Sequence, residues 1–353
     1  MKSVFTKKLS KWHRLQNTRS MPWKGEKDPY RIWLSEIILQ QTRVEQGMAY
    51  YNKFVSVYPS IRQLAMAPEQ EVFKLWEGLG YYSRCKNLIA TAKFVSSELN
   101  GRFPDKYEEV RALKGIGPYT AAAISSFAYN LPYAVVDGNV LRVISRYFGI
   151  NTPVDTTEGK KLYNFLADAL LDKKQPALYN QAIMDFGAVI CKAQLPLCSV
   201  CVQRKDCHAY THNLVKQLPV KEKSRVKKTR WFYYFVVEYK NFLYIRKRST
   251  KDIWENLYEF VLKESDGELV DDRNSLKSFL QSLVEQDQVI IHNVSRVYRQ
   301  QLSHQTIVGQ FINVKINKPA FMQKEYEAVL KNDLDKYPFP KIINAWLSQN
   351  EPV

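Results

Sequence analysis

Two carboxylic acids and four thiols are the side chains of this chain best placed to do chemistry. Glu36 lies in YRIWLSEIILQQ (residues 30–41), where Ile32, Trp33, Leu34, Ile37, Ile38 and Leu39 go nearly all the way round a helical wheel. A carboxyl group amid such bulk has its pKa raised, because desolvation penalises the charged form. Two uses fit it: an ion pair with one of the many arginines, since buried glutamates rarely lack a partner, or a proton donor lining a pocket. Asp137 lies in VVDGNV (135–140), just before an apolar-periodic stretch on Val140, Leu141, Ile144 and Phe148. An aspartate there caps a helix, and the helix dipole favours its charged form. The thiols read Cys191-x6-Cys198-x2-Cys201-x5-Cys207. Four so close suit a [4Fe–4S] cluster or an all-thiolate zinc site. Zinc ribbons favour two separated C-x2-C pairs, and one tight pair flanked by wider gaps favours the cluster. Arg204 and Lys205 lie inside that loop, as a basic finger that a metal would hold in shape for a phosphate. Cys85 stands apart and reads as a core residue.

The stretch that must position Asp137 begins at LKGIGPYT (113–120). Gly115 and Gly117 are expected to supply backbone angles closed to other residues, and Pro118 is pre-set for a first helical position. Tyr119 to Tyr129 is Ala- and Ser-rich, a compact helix. Helix, tight turn and helix leave N–H groups of the turn and of the next helix unpaired, and such groups bind phosphate. Lys114 stands beside them. Elsewhere the pattern predicts helices over Lys7–Gln16 (basic and amphipathic), Tyr30–Gln41, Val44–Tyr58, Pro68–Leu75, Lys86–Leu99, Thr157–Leu170 and Pro176–Ile190. Between two of them GLGYYSR (78–84) forms a turn carrying two tyrosines and a cation. It is either an ordinary connection or, with Gln41-Thr42, a source of wedges for a base stack.

The formal charge of +17 is uneven. Residues 1–210 hold 29 Lys/Arg against 18 Asp/Glu, 211–230 hold 7 against 1, and 231–353 balance 16 against 16. The first two-thirds thus carry a field for a polyanion, with nucleic acid the leading partner. No apolar run at the N-terminus suits a signal peptide and no window approaches a membrane span. Five cysteines used this way point to a reducing compartment. The expectation is a cytoplasmic, monomeric protein that meets nucleic acid and has no membrane partner.

The order of Glu36 helix, LKGIGPYT hairpin, VVDGNV and four-cysteine loop resembles the endonuclease III superfamily of helix-hairpin-helix DNA glycosylases. Within it, WLSEIILQQTRV, GLGYYSR and GPYT resemble the adenine DNA glycosylase (MutY) branch, over roughly residues 19–207. The resemblance implies a base-excision repair enzyme that hydrolyses the N-glycosidic bond of adenine mispaired with 8-oxoguanine or guanine in double-stranded DNA. Glu36 would protonate the base, and Asp137 would stay ionised and meet the sugar's positive charge. Tyr119 and Asn139 would hold sugar and Asp137 in register. Tyr119 stands where the bifunctional branch has a Schiff-base lysine, so lyase activity is not expected. Arg19, Met21, Trp23, Lys24, Gln181 and Met184 would line the pocket of the extruded base. Lys24 and Gln181 replace the arginine and glutamate common there. Gln41 and Tyr81 would intercalate, and Thr42 and Leu79 would touch the lesion side.

The composition changes after a basic, partly flexible linker at 211–230. WFYYFVVEYKNFLYIRKR (231–248) reads as a hairpin through Lys240-Asn241. Strands are expected over Gln288–Tyr298 and Thr306–Ile316, and helices over Asn274–Leu283 and Pro340–Leu347. The expected architecture is a mainly α glycosylase domain (1–210), the linker, and a smaller α/β domain (231–353). WENLYEF resembles the Nudix-like recognition domain of adenine glycosylases, without the acidic catalytic helix of Nudix hydrolases. Leu302-Ser303-His304 matches the Phe-Ser-His loop that reads 8-oxoguanine, with leucine for the aromatic, so Ser303 and His304 would carry that readout. Two rival readings are a bifunctional lyase, disfavoured by Tyr119, and a non-catalytic DNA binder, disfavoured by possession of both acids.

Overall fold

The computed structural model describes residues 2–222, 227–265, 267–268, 278–281, 289–319 and 325–350. It divides into two compact units, Met1–Met66 with Asn87–Ser224, and Ala67–Lys86 with Arg225–Val353. The helices are α1 (Lys2–Leu15), α2 (Pro29–Leu39), α3 (Val44–Val57), α4 (Ile61–Met66), α5 (Glu69–Trp76), α6 (Tyr82–Glu98), α7 (Tyr107–Ala112), α8 (Pro118–Tyr129), α9 (Gly138–Phe148), α10 (Thr157–Leu170), α11 (Pro176–Val189), α12 (His208–Thr211) and α13 (Lys341–Leu347). Among the described residues, no helix is long and apolar enough to cross a membrane.

In the first unit α2 is buried on almost every face, as its all-round apolar pattern requires. Asp28 starts it by accepting a hydrogen bond from the Tyr30 N–H at 2.9 Å. The Ala-rich α8 is buried from Thr120 to Ser126, because small side chains let its neighbours close on the backbone. A second core joins Phe5, Leu9 and Trp12 of α1 to Val140, Ile144 and Tyr147 of α9, Tyr163 of α10 and Phe186 of α11. That core fixes the start of α9, and with it Asp137.

Among the described residues the second unit holds a mixed seven-stranded sheet of β1 (Lys228–Tyr239), β2 (Phe242–Lys247), β3 (Tyr258–Ser265), β4 (Val289–Val294), β5 (Tyr298–Gln301), β6 (Gln305–Ile316) and β7 (Tyr326–Leu330). Its order is β4-β6-β1-β3-β2-β7, with β5 on β6. The β1–β2 hairpin forms at Lys240-Asn241 with Tyr239 opposite Phe242, and Lys240 takes a left-handed φ of 51°. β1 also runs parallel to β6. That central place buries Phe232 through Val237 on both faces. β3 and β7, whose short runs give little periodic signal, complete the sheet. The helix expected over 274–283 lies largely outside the described residues, of which 278–281 are helical.

α5 belongs with the sheet unit. Lys74 Nζ donates to the Tyr337 carbonyl at 3.1 Å, and the Phe339 N–H donates to Glu77 Oε1 at 2.7 Å. Nothing in the local sequence of α5 announces these partners, which are more than 250 residues away.

Glu259 of β3 is fully buried and pairs with Arg248 at 2.5 Å and Arg246 at 3.0 Å. Removing one partner of a buried pair leaves the other charge uncompensated. Glu259→Ala is therefore expected to cost this unit about 3 kcal/mol, read as a lower denaturant midpoint. A shift equivalent to less than about 1 kcal/mol, the range of exposed pairs, would contradict that role.

Candidate active site

Glu36, Tyr119, Asp137 and Asn139 all open on one cavity of about 750 Å³ in the first unit. α2 supplies Glu36, the second helix of the hairpin supplies Tyr119, and the start of α9 supplies Asp137 and Asn139. Arg19, Met21, Trp23, Lys24, Gln41, Thr42, Gln181 and Met184 line the same cavity.

Glu36 is 7% exposed, and burial pushes its carboxyl up to about 7. The Tyr119 hydroxyl opposes that rise by hydrogen bonding, and the negative charge of Asp137 adds to it. No described ion pair involves Glu36, so of its two sequence readings the arginine pair is not the one formed. Tyr119 is held well above the ordinary phenol value by burial and by the two carboxyl groups, which keeps it a neutral donor.

Asp137 caps α9 as expected, with Oδ1 accepting from the Val140 N–H at 2.8 Å and Oδ2 from Asn139 Nδ2 at 2.7 Å. Its pKa nevertheless moves up, not down. Burial raises it, and the hydrogen bonds from Val140 and Asn139 only limit the rise. The helix start alone suggests the opposite direction, and desolvation outweighs it.

Sequence patterns missed Arg142. Its Nη2 donates to Asn139 Oδ1 at 2.8 Å and to the Gly187 carbonyl at 2.7 Å, and its Nε donates to the Cys191 carbonyl at 2.7 Å. The Asn139 carbonyl is thus occupied, and its NH2 group is turned to Asp137. The i, i+3 spacing of Asn139 and Arg142 on one helix was the available signal. Gly187 allows this approach of α11, since a Cβ there would lie 2.6 Å from Asn139 Cβ.

The hairpin differs from expectation at one glycine. Gly115 has φ +77° and packs against Asn87, so it needs both the angle and the space. Gly117 has φ −89° and ψ 175°, extended backbone that any residue adopts, and a Cβ there would meet nothing within 4 Å. Its use is to leave the backbone bare. Lys114, Gly115 and Gly117 are exposed.

Gln41 and Tyr81 both hold left-handed angles, φ 58° and 48°, and both are exposed. Such angles in non-glycine residues store strain and collect at working sites. Leu79, expected to reach DNA, is instead buried at 6%. Its N–H bonds the Trp76 carbonyl, which turns the chain inward there. Ser303 and His304 lie exposed between β5 and β6, with Ser303 Oγ 3.2 Å from His304 Nδ1.

Cys191, Cys198, Cys201 and Cys207 border one small cavity with Arg146 and Arg204. Arg146 is buried, and its Nη1 lies 3.5 Å from Cys191 Sγ and 2.6 Å from the Lys192 carbonyl. Burial raises the thiols of Cys198 and Cys207, and raises Cys201 to about 12. Among the described residues, no group of three or more His, Cys, Asp or Glu side chains is placed to hold a metal ion. Gln203 anchors the loop on α1 through the Phe5 carbonyl at 2.9 Å, leaving Arg204 and Lys205 exposed.

Residues 34–164 match the HhH-GPD superfamily of base excision DNA repair proteins. The adenine DNA glycosylase of Buchnera aphidicola subsp. Baizongia pistaciae is 32% identical over 334 residues, 93% of this chain and 91% of that protein. The chain belongs to the adenine DNA glycosylases. The mouse (Mus musculus) adenine DNA glycosylase is 40% identical over 218 residues, 59% of this chain and 42% of that one. A thermostable thymine-DNA glycosylase structure aligns with a TM-score of 0.55 at 30% identity, covering 60% of this chain and 97% of that chain. An endonuclease III–DNA complex aligns at 0.52 and 19% identity, over 61% and 98%, a likeness of fold alone. The adenine glycosylase match extends over nearly the whole chain, and so includes both units.

Proposed function

We propose that this adenine DNA glycosylase hydrolyses the bond between adenine and deoxyribose in duplex DNA, where the adenine lies opposite 8-oxoguanine or guanine, and leaves the strand uncut. The observation that carries this reading is the meeting of Glu36 and Asp137 at one cavity, with Tyr119 hydrogen-bonded to Glu36.

Adenine leaves poorly until a ring nitrogen is protonated. Glu36, pushed up to about 7, keeps its proton in a large share of molecules at neutral pH and gives it to the base. The C1′–N9 bond then breaks, and its electron pair departs with the protonated adenine. Positive charge develops on the sugar and faces Asp137, which Asn139 and the Val140 N–H hold in place. Covalent attack by Asp137, as in retaining glycosidases, and stabilisation without a bond use this same position. Water completes the reaction at C1′ and returns its second proton to Glu36. Arg19, Met21, Trp23, Lys24, Gln181 and Met184 form the wall for the extruded base. The exposed hairpin N–H groups at Gly115 and Gly117, with Lys114, Arg204 and Lys205, take phosphates. Gln41 serves as an intercalating side chain, as does Tyr81; Thr42 touches the lesion side, and Ser303 and His304 read the opposite base.

A [4Fe–4S] cluster suits the four cysteines. Desolvation holds the Cys198, Cys201 and Cys207 thiols above the ordinary value, a cationic centre would draw their protons off, and one thiolate per iron spreads the sulfurs more widely than a single zinc ion does. When bound, it would cross-link the 191–207 loop through Cys191, Cys198, Cys201 and Cys207. Purified protein is expected to be brown with about four iron per chain. Colourless, zinc-loaded protein would exclude the cluster.

One duplex tests the function. With adenine opposite 8-oxoguanine, the strand should break only after heat and alkali. Spontaneous nicking would instead mark a lyase, and an intact strand a DNA-binding protein.

A further inference from the structure

We infer that Asp185 is a positioning residue for base selection, holding Gln181 with its amide carbonyl toward the cavity so that the pocket accepts a base bearing an exocyclic amino group. This rests on the reading of the cavity as a base pocket.

Asp185 is fully buried on α11, and a carboxylate offers about four acceptor positions. Four groups take them. Oδ1 accepts from Arg19 Nη1 at 2.9 Å and Gln181 Nε2 at 3.1 Å. Oδ2 accepts from Asn17 Nδ2 at 2.7 Å and lies 3.1 Å from Lys24 Nζ. His13 Nδ1 stands 4.0 Å away. Three of the residues that line the cavity, Arg19, Lys24 and Gln181, thus share one hidden counter-ion.

The consequence is sharpest at Gln181. An amide can turn either its NH2 or its carbonyl toward a ligand, and at Gln181 the choice is made by chemistry. An ionised carboxylate only accepts, so the NH2 must face Asp185 and Oε1 is left for the cavity. A fixed carbonyl accepts from the amino group of adenine and repels the 6-oxo group of hypoxanthine. Sites built around one hydrogen bond reject the analogue that cannot make it. Asp185 also balances the charge of Arg19 and Lys24, which would otherwise oppose protonation of the base.

The experiment compares single-turnover excision from two duplexes differing only in the target base, adenine or hypoxanthine, opposite 8-oxoguanine. Wild type should strongly prefer adenine. In Asp185→Asn the amide of residue 185 can itself donate, so Gln181 is free to turn. In Gln181→Met the acceptor is gone while Asp185 keeps its cations. Both variants should narrow the adenine preference by at least about tenfold. In Gln181→Met, affinity for undamaged duplex and the melting temperature should stay at wild-type values. Equal slowing on both bases, with the ratio unchanged within about twofold, would show a merely structural role and overturn the inference. If Asp185→Asn does not fold, Asp185→Glu, which keeps the charge but displaces the carboxylate, takes its place with the same expected narrowing. Wild type that releases no adenine would overturn the base-pocket reading and this inference with it, whereas an active wild type with an unchanged ratio in the Asp185 variant strikes only at Asp185.

Discussion

Asp137→Asn is expected to abolish adenine release while DNA binding persists. The substitution keeps the shape, a hydrogen-bond acceptor for the Val140 N–H and the start of α9. It removes the negative charge that faces the developing sugar cation. Loss of one aimed electrostatic group typically costs about a hundred- to a thousandfold in rate. A group that also attacks covalently costs more, so the expected loss is at least about a thousandfold. Single-turnover rates and gel-shift affinity on the same duplex measure the two effects separately. Turnover within about tenfold of wild type would falsify the role given to Asp137. The Arg142–Asn139 contact makes a companion case: Arg142→Met frees the Asn139 amide to rotate away from Asp137 and should reduce the rate with little change in DNA affinity.

Glu36→Gln has two expected effects, of opposite benefit. A positioned general acid contributes about a hundred- to ten-thousandfold, and glutamine has no proton to give, so excision should fall by that order. Stability should move the other way. The folded carboxyl sits near 7 and the unfolded one near its ordinary value of 4.5, so the native state binds the extra proton between those values. Stability therefore falls as pH rises from about 4.5 to 7 and stays lowered above, by roughly 3 kcal/mol at most. Glutamine escapes that cost. Melting temperatures of the two proteins should coincide near pH 4.5 and diverge by pH 8, with Glu36→Gln the more stable. Activity of the wild type should decline as pH rises through about 7. A variant less stable than wild type at pH 8 would show that Glu36 is held by an unrecognised cation and is charged at rest.

Much of this molecule is readable along the chain because its determinants are local. The all-round apolar pattern of α2 required burial and placed Glu36 in it. Pro118 after a glycine turn set the start of α8, and Asp137 before Val140 set the start of α9. The cysteine spacing joined four thiols in one loop, since none is far from the next.

Other features depend on contacts that no window of sequence contains. Asp137 capped its helix as its position demanded, yet its proton affinity rose, because desolvation is set by what packs overhead. Leu79 is hidden by the turn of its own unit, and α5 meets the 336–339 segment more than 250 residues distant. Arg142 and Asp185 gave only ordinary helical spacings. Their significance comes from α11 crossing α9 at Gly187 and from the 17–24 segment folding back onto α11, which brings Asn17, Arg19 and Lys24 to a carboxylate that Gln181 already meets on its own helix. Sequence determined which groups this protein has for chemistry and which helices carry them. Tertiary structure decided their ionisation and orientation, because both depend on the removal of water and on partners far away in the chain.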